Sequence, residues 1–177
     1  MAEETMTPTA RADAARVVVV CGLPGAGKTT VAEHATGRLD AIRLRTDVIR
    51  KELFPDPEYT DEESAAVYDE LFARTRRRVA DGEPVVLDAT FSEAGDRTRA
   101  QAIASDLDVS FTLVHVTCDQ AVVERRIRDR TDDASDADVR VHRMFRDLFE
   151  PIEREHVTVD NSGDIASTRR QVDRLLR

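Results

Sequence analysis

A chain of 177 residues fits one domain and can bury roughly 70% of its unfolded-chain surface, enough for a central sheet with helices on both faces. Its 26 basic and 35 acidic side chains give a net charge of −9, and all basic residues but Lys28 and Lys51 are arginine. That balance argues against tight non-specific binding to a nucleic-acid backbone, although local basic stripes can still hold a phosphorylated substrate. Scarce lysine and abundant aspartate suit either a salt-loving organism or a GC-rich genome. Cys21 and Cys118 each close an apolar run; two such thiols make neither a disulfide framework nor a zinc cluster and point to a reducing, cytoplasmic compartment. Glu3 and Glu4 stand where a signal peptide would be basic, and no apolar run approaches the ~18 residues of a membrane span. The expectation is a soluble protein with a frayed tail over 1–15 and a single domain over 16–177.

The first element is a strand over 16–21, built on Val17-Val18-Val19-Val20-Cys21. It runs straight into Gly22-Leu23-Pro24-Gly25-Ala26-Gly27-Lys28-Thr29, a complete G-x-x-x-x-G-K-[ST] phosphate loop. Glycines let successive backbone N–H groups turn into one concavity, the next helix adds its positive N-terminal end, Lys28 reaches the β/γ-phosphates, and Thr29 offers a hydroxyl to Mg²⁺. Gly22, Pro24, Gly25, Ala26, Gly27, Lys28, Thr29 and Thr30 are therefore the residues expected to hold a nucleoside triphosphate. A helix over 28–39 follows, with Val31, Ala35 and Leu39 on one face.

A short strand over 41–44 leads to a helix over 46–54, with Thr46 or Asp47 as its N-cap and Pro55 and Pro57 ending it. Asp47 and Arg50 share a face of that helix. The carboxylate can take a proton from an acceptor hydroxyl and the guanidinium can hold an anionic part of the acceptor; alternatively Asp47 only caps and Arg50 is a solvated charge. After a loop over 55–60, Thr60-x-x-Glu63 reads as a capping box opening a long helix to about residue 80, stopped by Asp81-Gly82. Arg74, Arg76, Arg77 and Arg78 on it read as surface charges.

Pro84 to Asp88 reads as a buried strand ending in a carboxylate, at the sheet end where α/β proteins bind ligands. Asp88 is expected to support Mg²⁺ or the Thr29 hydroxyl, or else to be a plain turn carboxylate. A helix with Ile103 and Leu107 inward and a strand over 109–117 come next. A helix over 119–130 carries Arg125, Arg126, Arg128 and Arg130, and a polar loop over 131–138 follows. The two suit a mobile lid, about 125–140, in which Arg126 and Arg130 lie one turn apart, or a solvated helix face paired with Glu124 and Asp129. A helix from about 138 to Phe149, a strand over 157–159 and a C-terminal helix after Gly163 complete the chain. His34, His115, His142 and His156 have no spacing that suggests a metal or a triad. Five strands separated by helices imply βαβ units, an α/β fold with a mostly parallel five-stranded sheet flanked by helices.

From Arg16 onward the chain resembles the small AAA-type kinases of the P-loop superfamily, near the zeta-toxin-like proteins and the kinase domain of phage polynucleotide 5′-kinase. The residues that carry the resemblance are Gly22 to Thr30, Leu44-Arg45-Thr46-Asp47-Val48-Ile49-Arg50, Val85-Val86-Leu87-Asp88-Ala89-Thr90-Phe91, and the arginines before Ala134-Ser135-Asp136. The resemblance implies a P-loop kinase fold, ATP and Mg²⁺ as cofactors, Asp47 as the group activating the acceptor hydroxyl, Arg50 on acceptor phosphate, and Arg126 and Arg130 on the transferring phosphate. The phage enzyme has an asparagine soon after its strand-ending aspartate, where this chain reads Asp88-Ala89-Thr90-Phe91. The reading is an ATP- and Mg²⁺-dependent kinase whose acceptor is a hydroxyl of a small molecule or of a nucleotide or polynucleotide end. Thr29 and Asp88 serve the metal in this reading, while Asp47, Arg50 and Asp88 face the acceptor. The rival reading is an ATP-binding regulatory switch with no fixed acceptor; a toxin-type kinase acting on a nucleotide sugar is a third.

Overall fold

A computed structural model describes residues 15–130 and 136–177. Five parallel strands form one sheet: β1 (Arg16–Cys21), β2 (Ile42–Arg45), β3 (Val85–Asp88), β4 (Ser110–Thr117) and β5 (Val157–Asp160), in the order β2-β3-β1-β4-β5. The helices are α1 (Lys28–Leu39), α2 (Thr46–Leu53), α3 (Asp61–Ala80), α4 (Ala94–Asp106), α5 (Gln120–Arg130), α6 (Asp136–Leu148) and α7 (Ile165–Leu175). The expected α/β fold with a five-stranded parallel sheet is therefore the one observed.

Both sheet faces are covered, which explains the unbroken apolar run of β1. Val17, Val19 and Cys21 point into a core completed by Ile49, Leu71, Phe72, Ala100 and Ile103, from α2, α3 and α4. Val18 and Val20 point the other way, into a core completed by Val31, Ala35, Val159 and Val172, from α1, β5 and α7. Each buried valine contributes roughly 1.5–3 kcal/mol of transfer free energy. A polar residue inside β1 would lose that and leave an unpaired group in the centre of the sheet. Ala15, placed in the tail by its sequence position, is packed in the first of these cores; the rest of the expected tail lies outside the described residues.

Several local signals read differently in three dimensions. α2 begins at Thr46 with Arg45 as its N-cap and no side-chain cap bond, so neither Thr46 nor Asp47 caps it. Asp47 sits in the first turn, where its charge is favoured by the helix dipole and its carboxylate is exposed. The capping box is half formed: Thr60 Oγ1 accepts from the Glu63 amide at 3.2 Å. The Glu63 carboxylate, however, accepts from the amides of Glu58 and Tyr59, two residues and one residue before the cap. Of the expected lid, 125–130 belong to α5 and 136–140 to α6, while 131–135 lie outside the described residues. The arginines of α3 are surface charges as expected: Arg74 pairs with Glu52 and Glu70, Arg76 with Asp106, and Arg78 with Glu83.

One buried arginine ties the far side of the fold together. Arg97 on α4 is 1% exposed and donates to the carbonyls of Phe91, Glu150 and Pro151 at 2.8, 2.9 and 3.1 Å. It fixes the loop after β3 against the segment after α6. Among the described residues no helix is long and apolar enough to cross a membrane.

Candidate nucleotide and acceptor site

The register of the sheet brings the site together. Asp88 at the end of β3 is level with Val20 of β1 and Arg45 of β2, so the phosphate loop after β1 and the first turn of α2 emerge beside one carboxylate. Gly25 and Gly27 adopt φ of 82° and 88°, left-handed values that an L side chain resists. Gly27 is the N-cap of α1 and supplies no side-chain cap, so the first-turn amides of that helix remain available to an anion. A Cβ on Gly22 would lie 2.4 Å from the Val116 carbonyl oxygen, and one on Gly27 would lie 2.0 Å from Asn161 Nδ2. These glycines are demanded by close packing as well as by loop geometry.

Lys28 Nζ lies within the loop and donates to the Leu23 carbonyl at 2.9 Å. Burial lowers its pKa from the ordinary lysine value, opposed by the charges of Asp88 and Asp47. Thr29 Oγ1 donates to Asp88 Oδ2 at 3.4 Å. Burial raises the Asp88 carboxyl above its ordinary value, opposed chiefly by Lys28 and then Arg45. Arg45 Nε stands 3.5 Å from Asp88 and its Nη2 4.0 Å from Asp47. A relay of polar groups thus runs Thr29, Asp88, Arg45, Asp47. The two carboxylates at its ends differ sharply: the Asp88 side chain is 5% exposed and the Asp47 side chain 78%. An enclosed carboxylate suits the support of a hydroxyl or hydrated cation, and an open one suits an incoming substrate. A threonine hydroxyl with a carboxylate behind it is the hard oxygen set that Mg²⁺ takes beside phosphate oxygens, so the residues present fit an Mg²⁺–nucleoside triphosphate. Cys21 lies at the same sheet end, but burial pushes its thiol to about 12, which leaves it inert.

Arg50 stands one turn after Asp47 but is engaged within the protein. Its Nη1 lies 3.3 Å from Glu63 Oε2, its Nη2 donates to Ser64 Oγ at 3.0 Å, and its guanidinium lies 4.9 Å from the Tyr59 ring centre. Arg126 faces the loop after β5: it donates to the Asn161 carbonyl at 2.8 Å and the Gly163 carbonyl at 3.3 Å. The side chain of Arg130 lies outside the described residues.

Sequence reasoning missed two residues that hold the phosphate loop in place. Asn161 donates from Nδ2 to the Ala26 carbonyl at 2.8 Å and accepts from Thr168 Oγ1 at 2.7 Å. It links β5 and α7 to the loop. His142 of α6 is buried, and its Nδ1 lies 2.7 Å from the Pro24 carbonyl, which can only accept, so Nδ1 carries the proton. Asn161-Ser162-Gly163 reads as an ordinary turn in the sequence, and a lone histidine on a helix gives no signal of its partner. Val123 and Ile127 of α5 close over Gly25. Among the described residues no group of three or more His, Cys, Asp or Glu side chains is placed to hold a metal.

A protein-family model described as an AAA domain matches residues 17–152, from β1 to the segment that Arg97 holds. The chain belongs to that AAA-domain family. Uncharacterized proteins of Mycobacterium tuberculosis and Mycobacterium bovis are 27% identical to it over 134 residues, 69% of this chain and 27% of theirs. The AAA-domain chain thus spans about a quarter of the length of the curated relatives it matches. Among solved structures, an APS kinase of Mycobacterium tuberculosis in complex with AMPPNP and APS is similar with a TM-score of 0.73 and 20% identity, covering 92% of this chain and 97% of that one. A gluconokinase of Sinorhizobium meliloti gives 0.66 and 21%, covering 93% and 94%. The architecture is the one found in P-loop kinases.

Proposed function

We propose that this protein is an ATP- and Mg²⁺-dependent phosphotransferase that moves the γ-phosphoryl group to a hydroxyl of a small molecule or of a nucleotide or polynucleotide end. The observation that carries the reading is the relay from Thr29 through Asp88 and Arg45 to the open carboxylate of Asp47. It supports the reading of Asp47 as the base, since this open carboxylate joins Thr29 through a single polar chain. The fold shared with a gluconokinase and an APS kinase supports the same reaction class, as does membership of the AAA-domain family. The affinity for zeta-toxin-like proteins and the phage polynucleotide 5′-kinase belongs to this proposal.

In this reading the amides of Gly25, Gly27 and the first turn of α1 hold the phosphates, together with the flanking Gly22, Pro24, Ala26 and Thr30. Thr29 and Asp88 would hold the cation, which would supply charge stabilisation to the transferring phosphoryl group. Lys28 leaves the Leu23 carbonyl for the β/γ-phosphates. Asp47 accepts the acceptor's hydroxyl proton as the oxygen bonds to the γ-phosphorus and the bond to the β-phosphate oxygen breaks, leaving ADP. Arg126 and Arg130 are assigned to the transferring phosphate; Arg126 must exchange its contacts with the Asn161 and Gly163 carbonyls to serve there.

The test is ADP release from Mg·ATP by the purified chain across a panel of 5′-hydroxyl oligonucleotides, nucleosides, sugars and aminoglycosides. One acceptor class is expected to stimulate turnover. Asp47→Asn is expected to lower the stimulated rate by about 10² to 10⁴-fold while ATP still binds, and Lys28→Ala to abolish turnover in a folded protein. Stimulated turnover at the wild-type level in Asp47→Asn would remove Asp47 from the base role. Tight ATP binding with no stimulated turnover would instead favour an ATP-dependent switch.

A further inference from the structure

We propose that Arg50, Tyr59 and Glu63 form the acceptor-reading wall of this site and select a polyhydroxylated acceptor that carries no phosphate group. The proposal rests on the kinase reading above and names its substrate class.

The guanidinium beside Asp47 is already matched. Arg50, the one guanidinium on the same helix face, has Glu63 at 3.3 Å and Ser64 at 3.0 Å. Glu63 also accepts from the amides of Glu58 and Tyr59 at 3.0 and 2.7 Å, so it is fixed in place by three donors. To receive a phosphate dianion, Arg50 must give up Glu63 or place the dianion beside that carboxylate, and like charges at such range are unfavourable. The neighbouring arginines are matched as well: Arg45 stands between Asp88 and Asp47, and Arg74 between Glu52 and Glu70. Hydroxyl groups meet no such conflict. The Arg50 and Glu63 side chains are 11% and 13% exposed, and a hydroxyl reaching their open edge meets a donor and an acceptor side by side without a change of net charge.

Tyr59 supplies the apolar half of the wall. It is 69% exposed although Arg50 lies against its ring, and its backbone φ is 58°, the left-handed region that a tyrosine resists. Glu63 holds it there through the Tyr59 amide. The result is an open aromatic surface against Arg50, which itself stands one helical turn after the candidate base. A sugar ring or a polyol chain presents the matching faces, C–H on one side and hydroxyls on its edge.

The experiment is saturation-transfer difference NMR on the full chain with Mg·AMPPNP. The ligands are pentoses, hexoses, alditols and aldonic acids, each matched with its phosphate ester. An unphosphorylated member is expected to receive saturation and to bind at least tenfold more tightly than its ester. Tyr59→Ala is expected to weaken it about tenfold or more and Tyr59→Phe to restore it, with AMPPNP affinity unchanged in both. Tighter binding of the esters, no saturation of any unphosphorylated polyol, or full binding by Tyr59→Ala would overturn the proposal. Lys51 lies one turn beyond Asp47 and is exposed; ester binding lost in Lys51→Ala would show a phosphate held there, contrary to it. Polyol binding without stimulated ADP release would sink the kinase reading and leave this wall standing. ADP release stimulated only by phosphorylated acceptors would do the reverse.

Discussion

At the scale of single residues, the phosphate loop shows how one position answers two demands. Gly27 needs a left-handed φ of 88° to end the loop, and it must also leave room for Asn161, whose Nδ2 a Cβ would meet at 2.0 Å. Gly27→Ala therefore has no low-energy solution: the backbone resists, and Asn161 must break its 2.8 Å bond to the Ala26 carbonyl. The expected cost is about 2–4 kcal/mol of stability, read as a lower urea midpoint, with ATP binding lost in calorimetric titration. A variant of near wild-type stability and affinity would show that neither constraint operates. The loop's glycines, Lys28 and Thr29 were legible because the motif is local and each residue type answers one phosphate requirement. Asn161 was not, since its partner is 135 residues away and a turn asparagine looks the same whether or not it touches anything.

At the scale of elements, Glu63 ties the segment before α3 to α2. Its pKa is depressed first by the Glu58 amide and also by the Tyr59 amide and the Arg50 charge. A carboxylate with a lowered folded-state pKa stabilises fully above its unfolded value, near 4.5. That contribution is lost as pH falls through the folded value. The amide of Tyr59 is accordingly expected to be protected from hydrogen exchange above the ordinary glutamate range and to lose protection below it. Glu63→Gln should show weaker protection above that range and converge with the wild type in acid. Parallel curves at all pH values would mean that the charge of Glu63 does not make this tie. The sequence showed Thr60 and Glu63 as a capping pair, but the carboxylate reaches past the cap because the chain before Thr60 turns back through the left-handed Tyr59. Likewise, the N-cap expected at Thr46 or Asp47 falls to Arg45, because the strand continues in register with Asp88 to that residue.

At the scale of the molecule, elements distant in sequence converge on one loop. The phosphate loop is held by α5 through Val123 and Ile127, by α6 through His142, and by β5 and α7 through Asn161 and Thr168. A nucleotide bound there couples to most of the fold. Mg·ATP at about 100 times its dissociation constant should therefore raise stability by about 2.7 kcal/mol. For a chain of this size that is a rise in melting temperature on the order of 5–10 °C. The shift is to be measured by scanning calorimetry with Mg·ATP, with ATP plus a chelator, and in Lys28→Ala. An equal shift in all three would place the binding elsewhere.

The sequence alone determined the strand–helix alternation, the parallel α/β class, the phosphate loop and the nomination of Asp47 and Asp88. Each follows from local pattern: apolar runs, turn residues, and motif spacings short enough to be read along the chain. Only the tertiary structure decided that Asp88 is enclosed while Asp47 is open, because exposure depends on which strands are neighbours. It alone showed Arg50 matched by Glu63, Arg126 turned toward the loop after β5, and Asn161 and His142 supporting the phosphate loop. A charged or amide side chain can choose among many partners, and the choice is made by packing that brings together residues from opposite ends of the chain.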